Sequence, residues 1–320
     1  KGCRATTKAL LKAKGKKTGK IRYRKALHSI PLMQYGITYK INPKDKTVHI
    51  QGLGDFKAIG IDQMPCNAEF ATANFIERNG DYFMHVVAYL SKEKVHNGRA
   101  IGIDLGIKNQ ITFSNGIKVQ YAIPMSERIK RLYKAFSKSQ YDKRSKRGTK
   151  LLQKIKSGFQ HQNNQKKDIN NKLAHYVTSN YEYVAYQNDN IHSWSRFYGR
   201  KIYQTSIGGF RNCLKASTPL EVGRFIKTTG VCMNCGTVQH LNLSDRMAVC
   251  PSCHSVFDRD VGAANKQEGL CLGNLGETLA EDYASSMLEY IKRIPHVKAS
   301  IAVEARSPKQ AGVAPSARAG

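Results

Sequence analysis

The sequence predicts a mixed α/β protein with more than one domain, and three observations carry that prediction. Around Gly102-Ile103-Asp104-Leu105-Gly106-Ile107-Lys108-Asn109 a short run alternates. Ile101 and Ile103 fall on one side, Gly102 and Asp104 on the other, as strand side chains do. Asn115-Gly116 then separates Gln110-Ile111-Thr112-Phe113 from Ile117-Lys118-Val119-Gln120-Tyr121, which is the strongest short hairpin signal. From residue 125 to 179 the apolar period becomes helical, with Ile129, Leu132, Tyr133 and Phe136 and later Ile169, Leu173, Tyr176 and Val177.

These features put Asp104 on the first strand of an antiparallel meander, in a largely buried sheet. A carboxylate there is costly unless it is paired or binds a cation. A turn-capping aspartate is the plainer alternative for this stretch taken alone.

The bounds agree with a nucleic-acid partner. The chain has 320 residues, 41% of them hydrophobic, and a formal charge of +29 from 52 Lys and Arg against 23 Asp and Glu. Such a charge suits a polyanion, with salt-sensitive binding. No apolar run approaches the roughly 20 residues of a membrane span. No signal-peptide pattern is present, and the scattered Cys3, Cys66, Cys213 and Cys271 suit a reducing compartment. The expected location is cytoplasmic, in a prokaryotic cytosol or nucleoid. Residue 1 is Lys, so a missing natural N-terminus is expected.

Residues 1–24 are basic and lean helical. From about Arg22 to Val95 short β runs alternate with turns: Tyr39-Lys40-Ile41, Thr47-Val48-His49-Ile50, Ala68-Glu69-Phe70-Ala71 and Tyr82-Phe83-Met84-His85-Val86-Val87, with Asn79-Gly80-Asp81 as a hairpin cue. This is a small β-barrel-like module.

The helical stretch 125–179 carries a dense basic face, and Gly148 marks it as a hairpin of two helices. Few acids are available for i,i+4 pairing, so a phosphate backbone is the expected counterpart. The candidate nucleic-acid contacts are Lys130, Arg131, Lys134, Lys143, Arg144, Arg147 and Lys150, with Arg200 further on. A second strand, Tyr183 to Ile191, sets Gln187 and Asp189 on one face. Thr205-Ser206 caps another helix, and Leu220 to Ile226 is a third strand-like run.

Cys232-Met233-Asn234-Cys235 and Cys250-Pro251-Ser252-Cys253 are two Cys-x-x-Cys pairs with fourteen residues between them. Four thiolates at roughly 2.3 Å make a closed structural zinc site, and that is the expected ligand set. His240 and His254 are not needed as ligands. Phe257-Asp258-Arg259-Asp260-Val261-Gly262-Ala263-Ala264-Asn265 then opens a helix whose small residues allow tight packing on a sheet. Asp258 and Asp260 near its start are either caps or metal ligands.

Asp104, Asp189 and Asp260 each end a strand or start a helix. Converging on one sheet edge, three carboxylates could hold two Mg²⁺ ions and activate water against a phosphodiester. The stretches GIDLGIKN, YQNDNI followed by Trp194, GRKI with TSIGGF, the two knuckles and DRDVGAAN resemble the TnpB (OrfB) family of transposon-encoded nucleases, relatives of compact type V CRISPR effectors. The resemblance covers roughly residues 20–268. It implies an RNase H-like RuvC domain with an inserted zinc ribbon and a preceding wedge domain that grips guide RNA. It also implies Mg²⁺-dependent, RNA-guided cleavage of double-stranded DNA, with sequence chosen by base pairing.

On that resemblance Asp104 matches the first catalytic acid and Asp260 the third. The family usually has Glu at the second. Here the slot falls at Asp189, the favoured reading, or at Gln187, which cannot supply the charge. Gly262 stands where the family more often has Asn. The implied division is 1–97 basic segment and wedge, 98–229 RuvC-like domain, 230–254 ribbon, 255–272 last RuvC segment and 273–320 tail, partly disordered. If the second acid does not function, the alternative is a nuclease-inactive, RNA-guided DNA-binding protein.

Overall fold

The computed structural model describes residues 9, 12–15, 27–64, 67–91, 96–138, 145–215, 219–242, 245–272 and 281–302. The chain divides into two compact units, Lys1–Lys92 and Glu93–Gly320. The basic stretch 1–24 lies almost wholly outside the described residues, as do 303–320.

The described residues of the first unit from 27 onward are chiefly β, with one 3-10 turn at Ile61–Gln63. Strands β1 (Ser29–Leu32), β5 (Glu69–Arg78) and β6 (Asp81–Tyr89) form one antiparallel sheet in the order β1-β5-β6. Strands β2 (Tyr39–Asn42), β3 (Thr47–Ile50) and β4 (Gly54–Lys57) form another. Asn79 and Gly80 both have positive φ, and Arg78 pairs with Asp81, so the expected Asn-Gly turn closes the β5–β6 hairpin in two residues. One core of Leu32, Tyr39, Ile41, Val48, Ile50, Ile61 and Ala73 joins the sheets, and the Tyr39 hydroxyl donates to the Ala71 carbonyl at 3.0 Å. Among the described residues the ladders stay two separate three-stranded sheets, where the sequence suggests a barrel-like module.

The second unit is built on a six-stranded mixed sheet. Its strands are β7 (Ala100–Leu105), β8 (Ile111–Phe113), β9 (Ile117–Tyr121), β10 (Tyr183–Gln187), β11 (Leu220–Val222) and β14 (Val297–Ile301), in the order β11-β10-β7-β8-β9-β14. The β7-β8-β9 meander is antiparallel, as its Asn-Gly turn implies. β10 then runs parallel to β7, and β11 parallel to β10. β14 closes the far edge antiparallel to β9.

Two helices, α1 (Glu127–Lys138) and α2 (Lys146–Asn180), lie in the stretch predicted helical. The hairpin break falls before Gly148 rather than at it. Ser145 caps α2 by accepting from the Gly148 N–H at 3.0 Å, and Gly148 is buried within the first turn. α3 (Ile191–Thr205) and α4 (Ile207–Lys215) follow β10, and α6 (Glu281–Lys292) precedes β14. Helices α2, α4 and α6 supply Ile169, Leu173, Phe210, Leu214, Met287 and Ile291 to the core under Ile101 and Ile103.

Helix α5 (Arg259–Leu272) lies against the Gly102 side of β7. It begins directly after β13 (Val256–Asp258), which pairs with β12 (Met247–Val249). The approach is close. A Cβ on Gly102 would stand 1.9 Å from the Ala264 carbonyl oxygen, and only a bare backbone fits.

Gly102→Ala therefore destabilises the second unit by about 2 kcal/mol or more, because backbone, not a side-chain tip, must move. Gly208→Ala, where a Cβ meets nothing within 4 Å, is neutral or slightly stabilising. Thermal unfolding of the two variants beside the parent checks the contrast.

Candidate functional site

Strand β7 carries Asp104 on the side that α5 covers. The opposite side carries Ile101 and Ile103 into the core. The α5 contact brings the Gln267 amide within 3.2 Å of the Asp104 carboxylate, and Nε2 donates. Burial, with the negative charges of Asp260 and then Asp189, pushes the Asp104 carboxyl up to about 8. The Gln267 bond and the Arg259 charge oppose that shift. The sheet thus holds an acid whose charged form is disfavoured by its surroundings and would be favoured by a neighbouring cation.

Asp260 sits in the first turn of α5. Its carboxylate accepts from Arg246 Nη1 at 2.6 Å, from Arg259 Nη2 at 3.2 Å and from Asn109 Nδ2 at 3.3 Å. The cap is Asp258 instead. Its Oδ1 accepts from the N–H groups of Asp260 and Val261 at 3.0 and 3.2 Å, and its other oxygen pairs with Lys118. Asp260 is thereby free of capping duty.

Asp189 lies two residues past the end of β10. Burial raises its carboxyl, against the charges of Arg224 and Arg211. Its carbonyl accepts from Arg211 Nη1 at 2.5 Å. Asp104 thus feels both other acids, but the three do not close into one tight cage. Among the described residues, the cysteines are the one group of three or more His, Cys, Asp or Glu whose ligand atoms all lie within 4.8 Å of one another.

Gln187 occupies a different place. Continuing the register that pairs Tyr186 with Ile103 sets it beside Asp104 across the parallel ladder. Its amide is fully engaged. Nε2 donates to the carbonyls of Ile226, Gly223 and Arg224 at 2.7, 3.2 and 3.2 Å, and Oε1 accepts from the Thr228 hydroxyl at 3.0 Å. Glu268 is a further buried acid on α5. Burial raises its carboxyl, and Oε2 accepts from the Gly102 N–H at 3.2 Å.

The ribbon shows the same local geometry twice. In the first knuckle the Gly236 N–H donates to the Cys232 carbonyl at 3.0 Å. In the second, His254 N–H donates to the Cys250 carbonyl at 3.0 Å, and both residues have positive φ. Sulfurs of Cys232 and Cys253 lie 3.6 Å apart, those of Cys235 and Cys250 3.4 Å. The Thr237 hydroxyl draws the Cys235 thiol down to about 6. Four soft donors at these separations could bind zinc. His254 serves the turn and is not in the cluster.

Of the basic candidates, Lys130, Arg131 and Lys134 are exposed on α1, and Arg147 and Lys150 on the first turns of α2. Lys130 pairs with Glu127 at 2.6 Å. Lys143 and Arg144 lie outside the described residues, as does the side chain of Arg200. The sequence reading did not single out Arg246, Arg259, Gln267 or Glu268 as neighbours of the acids. The α5 spacing was the available signal, since Asp260, Gln267 and Glu268 are seven and eight residues apart, two helical turns.

With this geometry in hand, the chain compares with known proteins as follows. Residues 82–193 match the OrfB_IS605 family, described as a probable transposase. No curated protein matches the chain. Two solved structures align with this chain. A cryo-EM CRISPR-Cas12f ternary complex does so at 16% identity and TM-score 0.35, covering 70% of this chain and 50% of that one. A Cas12f1-sgRNA-target DNA complex does so at 13% identity and TM-score 0.32, covering 78% and 68%. The chain thus spans half the length of the first. Among the described residues no helix is long and apolar enough to cross a membrane.

Two outcomes are expected. Because the Asp104 carboxyl titrates higher folded than unfolded, the folded state holds the extra proton and stability falls as pH rises from about 4 to about 8. In magnesium-free buffer, Asp104→Asn removes that loss. Its melting temperature exceeds the parent's at pH 8, and the gap closes near pH 4. Separately, the purified chain releases one zinc on thiol modification, measured by a colorimetric chelator, and Cys232→Ser releases far less.

Proposed function

We propose that the chain is an RNA-guided, Mg²⁺-dependent endonuclease that cleaves target DNA. In this reading the second unit is an RNase H-like RuvC domain interrupted by the zinc ribbon, and the first unit is a wedge that grips guide RNA. The single observation that carries it is the half-buried Asp104 carboxylate, set among the charges of Asp189 and Asp260 on a protein of charge +29. Desolvation and acidic neighbours disfavour the charged form of such an acid, and a bound cation offsets both. Three oxygen-donor side chains suit a hard divalent ion, so the residues fit magnesium.

Asp104, Asp189 and Asp260 would hold the ions. When bound, magnesium would lower the pKa of the attacking water and neutralise charge on the leaving 3′ oxygen. Gln267 fixes the Asp104 carboxylate through one oxygen and leaves the other for a ligand. Arg246 and Arg259 position Asp260 and supply positive charge beside a phosphate path. The basic faces of α1 and α2 would track nucleic-acid backbones, so binding would weaken steeply with salt.

A second reading has its own observation. Gln187, not an acid, follows Tyr186, whose register partner Ile103 precedes Asp104, and its amide is engaged with the 223–228 loop. That favours a guided protein which occupies DNA without cutting. One assay separates the two. The full-length protein, purified with its co-expressed RNA, is given a plasmid library with and without Mg²⁺. Cuts that need Mg²⁺ and drop at least about a hundredfold in Asp104→Ala support the nuclease. RNA-dependent binding with no cuts under any divalent ion supports the binder.

A further inference from the structure

A cavity of about 420 Å³ opens beside Asp189, between the loop after β11 and the start of the ribbon. Its size falls in the ~300–1,000 Å³ range of small-ligand sites. Its lining is unusual for a folded surface. Phe225, at the loop tip, is 95% exposed. An unpacked phenylalanine normally marks a floppy loop, but this loop is held. The Gln187 amide donates to three of its carbonyls and accepts from Thr228, and the Ile226 N–H closes onto the Gly223 carbonyl at 3.1 Å. The ring is thus presented on a braced backbone.

Cations flank it. Arg224 reaches the Asn188 carbonyl at 3.3 Å, and Lys227 reaches the Gln239 carbonyl at 3.5 Å. Gln239 also lines the cavity, and its Nε2 is buried with no hydrogen-bond partner among the described residues. A buried donor left unpaired is destabilising, and an acceptor from a ligand relieves that. An exposed aromatic face, flanking cations and an amide seeking an acceptor together match the chemistry of a single-stranded nucleotide, with its flat base, its phosphate and its base-edge oxygens. Asp189 also lines the cavity, and its negative charge disfavours a phosphate on its side, which leaves Arg224 and Lys227 as the phosphate partners.

We propose that this cavity is a base-stacking subsite for single-stranded DNA, with Phe225 as the platform, Arg224 and Lys227 on the phosphates and Gln239 on the base edge. It rests on the nuclease reading for its place beside the acids: a strand seated here runs next to Asp189. It also gives Gln187 a role as the positioning residue of the platform loop.

The test is binding, independent of cutting. Full-length protein in magnesium-free buffer, at salt high enough to suppress phosphate-only contacts, is titrated against a fluorescent oligodeoxynucleotide carrying 2-aminopurine. Phe225→Ala is expected to weaken single-strand binding roughly tenfold and to abolish 2-aminopurine quenching. Phe225→Trp restores both, and duplex DNA binding is unmoved in either variant. Unchanged binding by Phe225→Ala, an equal loss on duplex, or a larger loss on the matching RNA oligonucleotide overturns the assignment. If plasmids are never cut but Phe225→Ala behaves as expected, the nuclease reading fails and the subsite stands.

Discussion

The contact of α5 with β7 is the constraint on which the candidate site depends. Gly102 lets a helix backbone rest on a strand backbone with no side chain between them. At that distance one helix places Gln267 on Asp104 and sets Asp260 within electrostatic reach of it. Apolar packing on the other side, through Ile101 and Ile103, offsets the cost of this charged face. A looser contact would hydrate Asp104 and dissolve the electrostatic coupling.

The ribbon follows from the same arrangement. It is too small to fold on a core of Cys232, Ala248, Cys250 and Phe257 alone, so four converging thiols take over that task. Its second hairpin strand runs straight into the Asp258 cap and the first turn of α5. Arg246, just before that hairpin, reaches across to Asp260. Order in the ribbon and placement of the third acid are therefore mechanically linked.

Local signals were legible in the sequence, and distant pairings were not. Asn79-Gly80 and Asn115-Gly116 announce their hairpins because positive φ is a property of the turn residues themselves. The Cys-x-x-Cys spacing announces the thiol cluster, and strand alternation places Asp104 opposite the core. By contrast, β14 joins β9 across the whole second unit, and no local pattern in 297–301 shows which edge it will meet. α3 hides in a basic stretch and is bent at Tyr198, where the backbone leaves helical geometry. The rivalry between Gln187 and Asp189 was visible, but not the bracing of the loop by Gln187, because its three acceptor carbonyls lie 36 to 39 residues away.

The central claim is that the acids gathered by β7, β10 and α5 form a divalent-ion site. Anomalous diffraction from crystals of the nucleic-acid complex soaked in Mn²⁺ tests this most directly. The account predicts manganese peaks in ligand contact with the Asp104 carboxylate and with at least one of Asp189 and Asp260. Clear nucleic-acid density with no manganese at Asp104 would contradict it.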